Sequence, residues 1–252
     1  MKLDFDTDTE NGNGIGTRAK FGVIVLETDE TLEPEFAQIM DIEGVALYHS
    51  RIPMVSHVRP ETLSRMERDL PVSAGLFPPS LHFDVIGYGC TSASTFIGSE
   101  NVARAIQSVF PTVLVTDPLA AIIAAGKTLE AKRLGFITPY LPDISHKMRQ
   151  KLEEAGFEIT AFGSFEEGDD PTVARITENS ILKAANRVAR QAPCDAIVIS
   201  CTNLRCLRII DKIEASTGVA VIASNQALGW HMLRLGAITE SLPSFGRLFL
   251  KH

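Results

Sequence analysis

The chain has 252 residues, 45% of them hydrophobic, and a formal net charge of -7, which suffices for one large α/β domain or two lobes of about 100–120 residues and excludes disorder as its general state. Lys and Arg are scattered without a basic run, so no nucleic acid and no membrane surface is expected as a partner. The acidic start, Met1 to Asp8, has no apolar signal core, no stretch nears ~18 uninterrupted apolar residues, and four cysteines suit free thiols better than a disulfide scaffold; the expected location is cytoplasmic.

Residues 1–19 are polar and rich in Gly, Asn and Asp and read as a flexible N-terminal arm. Short Val/Ile-rich runs follow near 21–26, 44–48, 83–89, 112–116, 134–138, 157–162, 195–200 and 219–223. Segments 143–155 and 173–190 carry apolar residues at three- and four-residue spacing and read as helices. Runs such as Asp195-Ala-Ile-Val-Ile-Ser200 are nearly continuous rather than alternating, the pattern of strands buried on both faces of a parallel sheet. The expected fold is therefore α/β, with doubly wound parallel sheets.

Several apparent motifs carry no chemistry. Gly12-Asn-Gly-Ile-Gly16 precedes the first strand, so it cannot be the glycine turn of a dinucleotide site. Gly126-Lys-Thr128 lacks the earlier glycine of a phosphate loop, where Ala121 stands. The six histidines show no metal-ligand spacing with each other or with Cys, and no Gly-x-Ser-x-Gly elbow is present. No metal site, dinucleotide turn or phosphate loop is expected.

Internal repetition is the most informative feature. Phe83-Asp-Val-Ile-Gly-Tyr-Gly-Cys-Thr91 and Cys194-Asp-Ala-Ile-Val-Ile-Ser-Cys-Thr202 share D-x-I-x-x-x-C-T at an offset of 111 residues. Lys20-Phe-Gly-Val-Ile24 and Arg133-Leu-Gly-Phe-Ile137 match at an offset of 113. The shared offset predicts two similar lobes, each opening with a strand and later presenting a strand that ends in Cys-Thr.

In open α/β sheets, ligands bind at the carboxyl ends of strands, and Cys90 and Cys201 both stand there. The residues that follow, Thr91-Ser92 and Thr202-Asn203, suit helix starts, where free backbone N–H groups bind carboxylates and lower a thiol pKa. Thiols from facing lobes would flank one small substrate, removing a proton on one face and returning one on the other, or adding to a double bond and later eliminating. A lone strand-end cysteine is most often inert packing. Cys194 falls in that class, because it begins the strand that Cys201 ends, about 20 Å away; so does Cys206, expected inside the following helix.

Gly22-Val-Ile-Val25 with Glu33-Pro-Glu-Phe36, Gly89-Cys-Thr-Ser92, Gly135-Phe-Ile-Thr-Pro-Tyr140, Val173-Ala-Arg-Ile176 and Ser200-Cys-Thr-Asn203 together resemble the aspartate/glutamate racemase superfamily, most closely its maleate isomerase and arylmalonate decarboxylase branch. The resemblance implies two pseudosymmetric flavodoxin-like lobes with the active site between them, drawn as 20–117 plus 225–252 and 118–224. It implies catalysis by Cys90 and Cys201 without metal or cofactor, and assembly as a homodimer or larger. It also implies substrate-binding roles for Thr91, Ser92, Thr202, Asn203 and Tyr140, although Tyr140 as a plain wall residue remains an alternative. Decarboxylases of this branch keep only the later cysteine, so two cysteines favour isomerisation or racemisation.

Two positions depart from the maleate isomerase pattern: Asp29, within Leu26-Glu-Thr-Asp-Glu-Thr31, and Asp170, within Asp169-Asp-Pro171, stand where those enzymes carry Asn. If both line the crevice, a dianion is disfavoured there and a small carboxylate that also carries an amino or amidine group is favoured; if both are surface-loop residues, the argument lapses. The first loop resembles that of members associated with ectoine utilisation, whose ligands combine a carboxylate with cationic nitrogen. The competing readings are a decarboxylase-like lyase using Cys201 alone and a non-catalytic binding protein for small molecules.

Overall fold

A computed structural model describes residues 14–54 and 60–251. The first half of the chain runs β1 (Ala19–Leu26), α1 (Leu32–Ile39), β2 (Val45–Ile52), α2 (Pro60–Ala74), β3 (Val85–Gly89), α3 (Thr91–Ile97), α4 (Ser99–Gln107), β4 (Leu114–Thr116) and α5 (Pro118–Thr128). The second runs β5 (Arg133–Thr138), α6 (Pro142–Glu154), β6 (Glu158–Ser164), α7 (Asp170–Val173), α8 (Glu178–Gln191), β7 (Ala196–Ile199), α9 (Ile210–Thr217), β8 (Ala220–Ala223), α10 (Ser224–Leu235) and α11 (Arg247–Lys251). All eight expected strands are present among these residues. They form two all-parallel sheets of the same order, β2-β1-β3-β4 and β6-β5-β7-β8, so the repeat read from the sequence is a repeat of topology.

Central strands β3 and β7 are buried along their whole length, which is why they read as unbroken apolar runs. Gly22 and Gly135, the shared glycines of the two repeats, show what the repeat preserves. A Cβ on Gly22 would lie 3.0 Å from Phe77 Cζ, and one on Gly135 would lie 2.6 Å from Val188 Cγ1. Each strand thus needs a gap where a bulky side chain seats. Gly135→Ala is expected to destabilise the protein by about 1–3 kcal/mol through overpacking, read as a lower urea midpoint at unchanged slope.

Two expectations need correction. The pattern over 173–190 is two helices rather than one: α7 ends at Val173, and Thr177 caps α8, its hydroxyl accepting from Ser180 N at 3.1 Å. Cys206 is not inside a helix; it precedes a 3-10 turn, Leu207–Ile209, that leads into α9. Of the tail drawn with the first lobe, α10 packs on that lobe's β3, β4 and α1, whereas α11 lies against β8, with Gly246 N donating to Asp211 and Arg247 N to Glu214. Residues 1–13 of the expected arm lie outside the described residues. Its end is anchored, since Arg18 N donates to Gly44 O and buried Lys20 Nζ to Gly16 O.

The lobes exchange helices. α10 follows β8 yet packs on β3, β4 and α1, with Met232 filling the space above Gly87, while α5 follows β4 and touches β8. This exchange holds the carboxyl ends of both sheets against each other. No helix among the described residues is long and apolar enough to cross a membrane.

Candidate active site

In each sheet the strand order reverses direction between the first and third strands, the position at which open α/β sheets bind ligands. Asp29 follows β1 and Cys90 follows β3; Tyr140 follows β5 and Cys201 follows β7. The nine residues singled out in the sequence, Asp29, Cys90, Thr91, Ser92, Tyr140, Asp170, Cys201, Thr202 and Asn203, each expose 4% or less of their surface. Neither aspartate is a surface-loop residue; all nine are buried where the lobes meet.

Hydrogen bonds across the junction bring these residues together. Thr202 Oγ1 donates to the carbonyl of Gly89, the residue before Cys90, at 3.4 Å. Thr91 Oγ1 meets Ser224 Oγ at 2.9 Å, and Thr28 Oγ1 donates to Asp170 Oδ2 at 2.6 Å. Asn203 accepts from Glu30 N through Oδ1 and donates to Asp170 O through Nδ2. Thus Asn203 and Thr91 tie the lobes together, whatever else they touch.

Cys90 is the N-cap of α3: Sγ accepts from Ala93 N at 3.3 Å and lies 3.5 Å from Ser92 Oγ. Cys201 Sγ accepts from Asn203 N at 3.4 Å, and the Tyr140 hydroxyl is near enough to favour its thiolate. The same two carboxylates, Asp29 and Asp170, bear on both thiols, and Tyr140 senses both sulfurs. The sequence reading missed Tyr88, whose hydroxyl reaches Cys90 and donates to Met66 Sδ at 3.6 Å. It stands two residues before Cys90 in the repeat itself, a spacing that puts side chains on one side of a strand. Each sulfur therefore has its own buried tyrosine. Thr28, Glu35, Ser224 and Asn225 were missed because their partners lie far away in sequence.

The helix-start argument for low thiol pKa values does not hold. Only Cys90 caps a helix, and the chain after Cys201 turns through Thr202–Leu204 before any helical residue. Burial dominates, aided by the neighbouring carboxylates and opposed by Ser92, Ala93, Tyr140 and Asn203: the Cys90 thiol is pushed up to about 11 and Cys201 well above its usual value. Both are neutral thiols in the unliganded protein. Iodoacetamide should therefore alkylate Cys90 and Cys201 at least ~10²-fold more slowly than in the denatured chain at pH 7.5, with the rate still rising above pH 9, as peptide mass spectrometry would show.

The carboxylates are strained in the same sense. Burial raises Asp29, though Leu32 N and Thr31 N donate to its Oδ1 at 2.7 and 2.8 Å. Burial also raises Asp170 to about 6 and, on α1, Glu35 to about 7. In the unfolded chain such groups lose their protons near pH 4. Asp170 and Glu35 thus favour the fold most at acid pH and weaken it as pH rises through about 6 and 7. Asp29 Oδ2, Ser200 Oγ and Asn225 Oδ1 are buried without a hydrogen-bond partner, although the Thr202 hydroxyl lies near enough to Asp29 to moderate its charge. Orphaned buried oxygens in such a site are places for donors supplied by a ligand. Among the described residues no cluster fit to hold a metal ion occurs.

A two-lobed α/β protein with paired cysteines at the carboxyl ends of matching strands is the class these features define. The family model of arylmalonate decarboxylase matches residues 83–249, and the chain belongs to that family, in the branch of the aspartate/glutamate racemase superfamily that also holds maleate isomerases. Maleate isomerase of Nocardia farcinica is 27% identical over 91% of this chain and 94% of its own. The structure of maleate isomerase Iso from Pseudomonas putida S16 superposes with a TM-score of 0.83 at 25% identity, covering 92% of this chain and 98% of that one. A cysteine-to-serine mutant of the Nocardia farcinica maleate cis-trans isomerase, solved with a covalently bound succinylcysteine intermediate, has a TM-score of 0.81 at 24% identity and covers 93% and 99%.

Proposed function

We propose that this protein is a cofactor-independent isomerase in which Cys90 and Cys201 act from opposite faces of a small carboxylate that also carries a cationic nitrogen. One observation carries the reading: the two thiols stand at equivalent strand ends of lobes whose ends meet, Thr202 beside Cys201 donating to the carbonyl of Gly89 beside Cys90. The relatives named maleate isomerase support isomerase chemistry, and the presence of both cysteines favours it over decarboxylation by Cys201 alone.

The ligand carboxylate would lie against the hydroxyls and backbone N–H groups of Thr91, Ser92, Thr202 and Asn203, and its cationic nitrogen against Asp29 Oδ2 and Asp170. A positive charge beside the two carboxylates cancels much of their repulsion of the sulfurs, so one thiol can ionise. In a racemisation that thiolate takes the proton from the ligand carbon, and the other thiol delivers its own proton to the opposite face. One proton is gained and one lost, and the two sulfurs exchange states.

A thermal-shift screen of small dicarboxylates and amino acids tests the substrate class, since a ligand stabilises the fold it binds. Amino-acid-like compounds should raise Tm, and the wild-type protein in D2O should place deuterium on the reacting carbon of a hit. A screen in which only dicarboxylates bind would reject the cationic nitrogen. Binding without exchange or turnover would leave a binding protein.

A further inference from the structure

Glu35 has no place in the chemistry above, yet it is the most heavily engaged carboxylate at the lobe junction. It sits on α1 of the first lobe, buried, and its oxygens accept from groups outside that helix. Oε1 accepts from Cys206 N and Leu207 N, both at 2.9 Å, and Oε2 accepts from Asn225 Nδ2 at 2.8 Å. Asn225 Nδ2 also donates to the Thr202 carbonyl at 2.7 Å. The segment from Thr202 to Leu207, which begins directly after Cys201, is therefore held near its start through Asn225 and directly at its end by one carboxylate of the opposite lobe.

We propose that Glu35 is a positioning residue: its carboxylate, acting through Asn225 and the Cys206 and Leu207 amides, fixes the Cys201-Thr202-Asn203 turn against Cys90. That placement matters for catalysis on the reading given above, in which Cys201 reacts. The geometry requires the ionised form. Asn225 Nδ2 lies between two acceptors, Glu35 Oε2 and Thr202 O, so both bonds stand only while Oε2 carries no proton. A proton on Oε2 would turn that bond into a clash of donors. The relief at hand is a flip of the Asn225 amide, whose Oδ1 has no partner; the flipped oxygen accepts from Glu35, and the Thr202 carbonyl loses its donor. The charged and titratable groups around Glu35 are Asp29, which raises its pKa, Cys206, and the side chains of Glu30, Glu178, Arg205 and Arg208 around an adjoining cavity of about 200 Å³.

The test reads the turn without any substrate. Alkylation of each cysteine by iodoacetamide would be followed by peptide mass spectrometry from pH 5.5 to 9 in the wild type, Glu35→Gln and Asn225→Ala. In both variants Cys201 should react at least ~10-fold faster relative to Cys90 than in the wild type. The wild-type ratio, corrected for thiol ionisation, should rise as pH falls through about 7, and Glu35→Gln should lose that dependence. Equal acceleration of both cysteines in step with a lower Tm would show mere structural support and overturn the proposal, as would an unchanged ratio in Asn225→Ala. Because the readout involves no turnover, it stands or falls separately from the assigned reaction.

Discussion

Cys201→Ser and Cys90→Ser should each slow interconversion of ligand isomers, with turnover falling by about 10²–10⁴-fold, the usual worth of a positioned acid or base. Serine matches the shape of cysteine closely, so Ala93 N and Asn203 N would still find an acceptor and the fold should persist. A hydroxyl in the same burial, however, stays protonated where a thiol beside a ligand cation can ionise. Measuring isomer interconversion and deuterium uptake together separates the possibilities. Loss of both with either variant supports action from two faces. Activity that survives in Cys90→Ser and dies in Cys201→Ser would move the protein to the decarboxylase side of its family.

The parts of this molecule that depend on local sequence were readable in advance. Eight strands, a repeated topology and the strand-end position of both cysteines follow from apolar runs such as Val85–Gly89 and Ala196–Ile199 and from one offset in sequence. Wherever a contact between distant residues decides, the reading faltered. Thr202-Asn203 predicts a helix start after Cys201, but those residues direct their polar groups elsewhere, Thr202 to Gly89 O and Asn203 to Glu30 N in the other lobe and to Asp170 O in its own. The thiol acidity was misjudged for the same reason. Local sequence supplies the capping amides of α3, whereas the burial and the carboxylates that outweigh them come from the docking of the two lobes. Glu35, at 171 residues from Cys206, had no local signal beyond its place in Glu33-Pro-Glu-Phe36.

Asp29→Asn should reverse the charge preference of the site. The substitution keeps the volume, and Asn Oδ1 can still accept from Thr31 N and Leu32 N; the orphaned Oδ2 becomes an N–H donor. A unit charge about 4 Å away at an effective dielectric near 20 interacts by about 4 kcal/mol, or about 10³-fold in binding. Amino-acid-like ligands should therefore weaken by up to that factor, and maleate should bind and turn over measurably better than with the wild type. Asp170→Asn should act in the same direction and should also stabilise the unliganded protein at pH 8 by about 1–3 kcal/mol, because Asp170, raised to about 6, pays its ionisation penalty there. At pH 5, where that carboxyl keeps its proton, the gain should shrink. Wild-type protein that converts maleate at least as well as any amino acid, with Asp29→Asn unchanged in preference, would mean that the two carboxylates do not face the ligand.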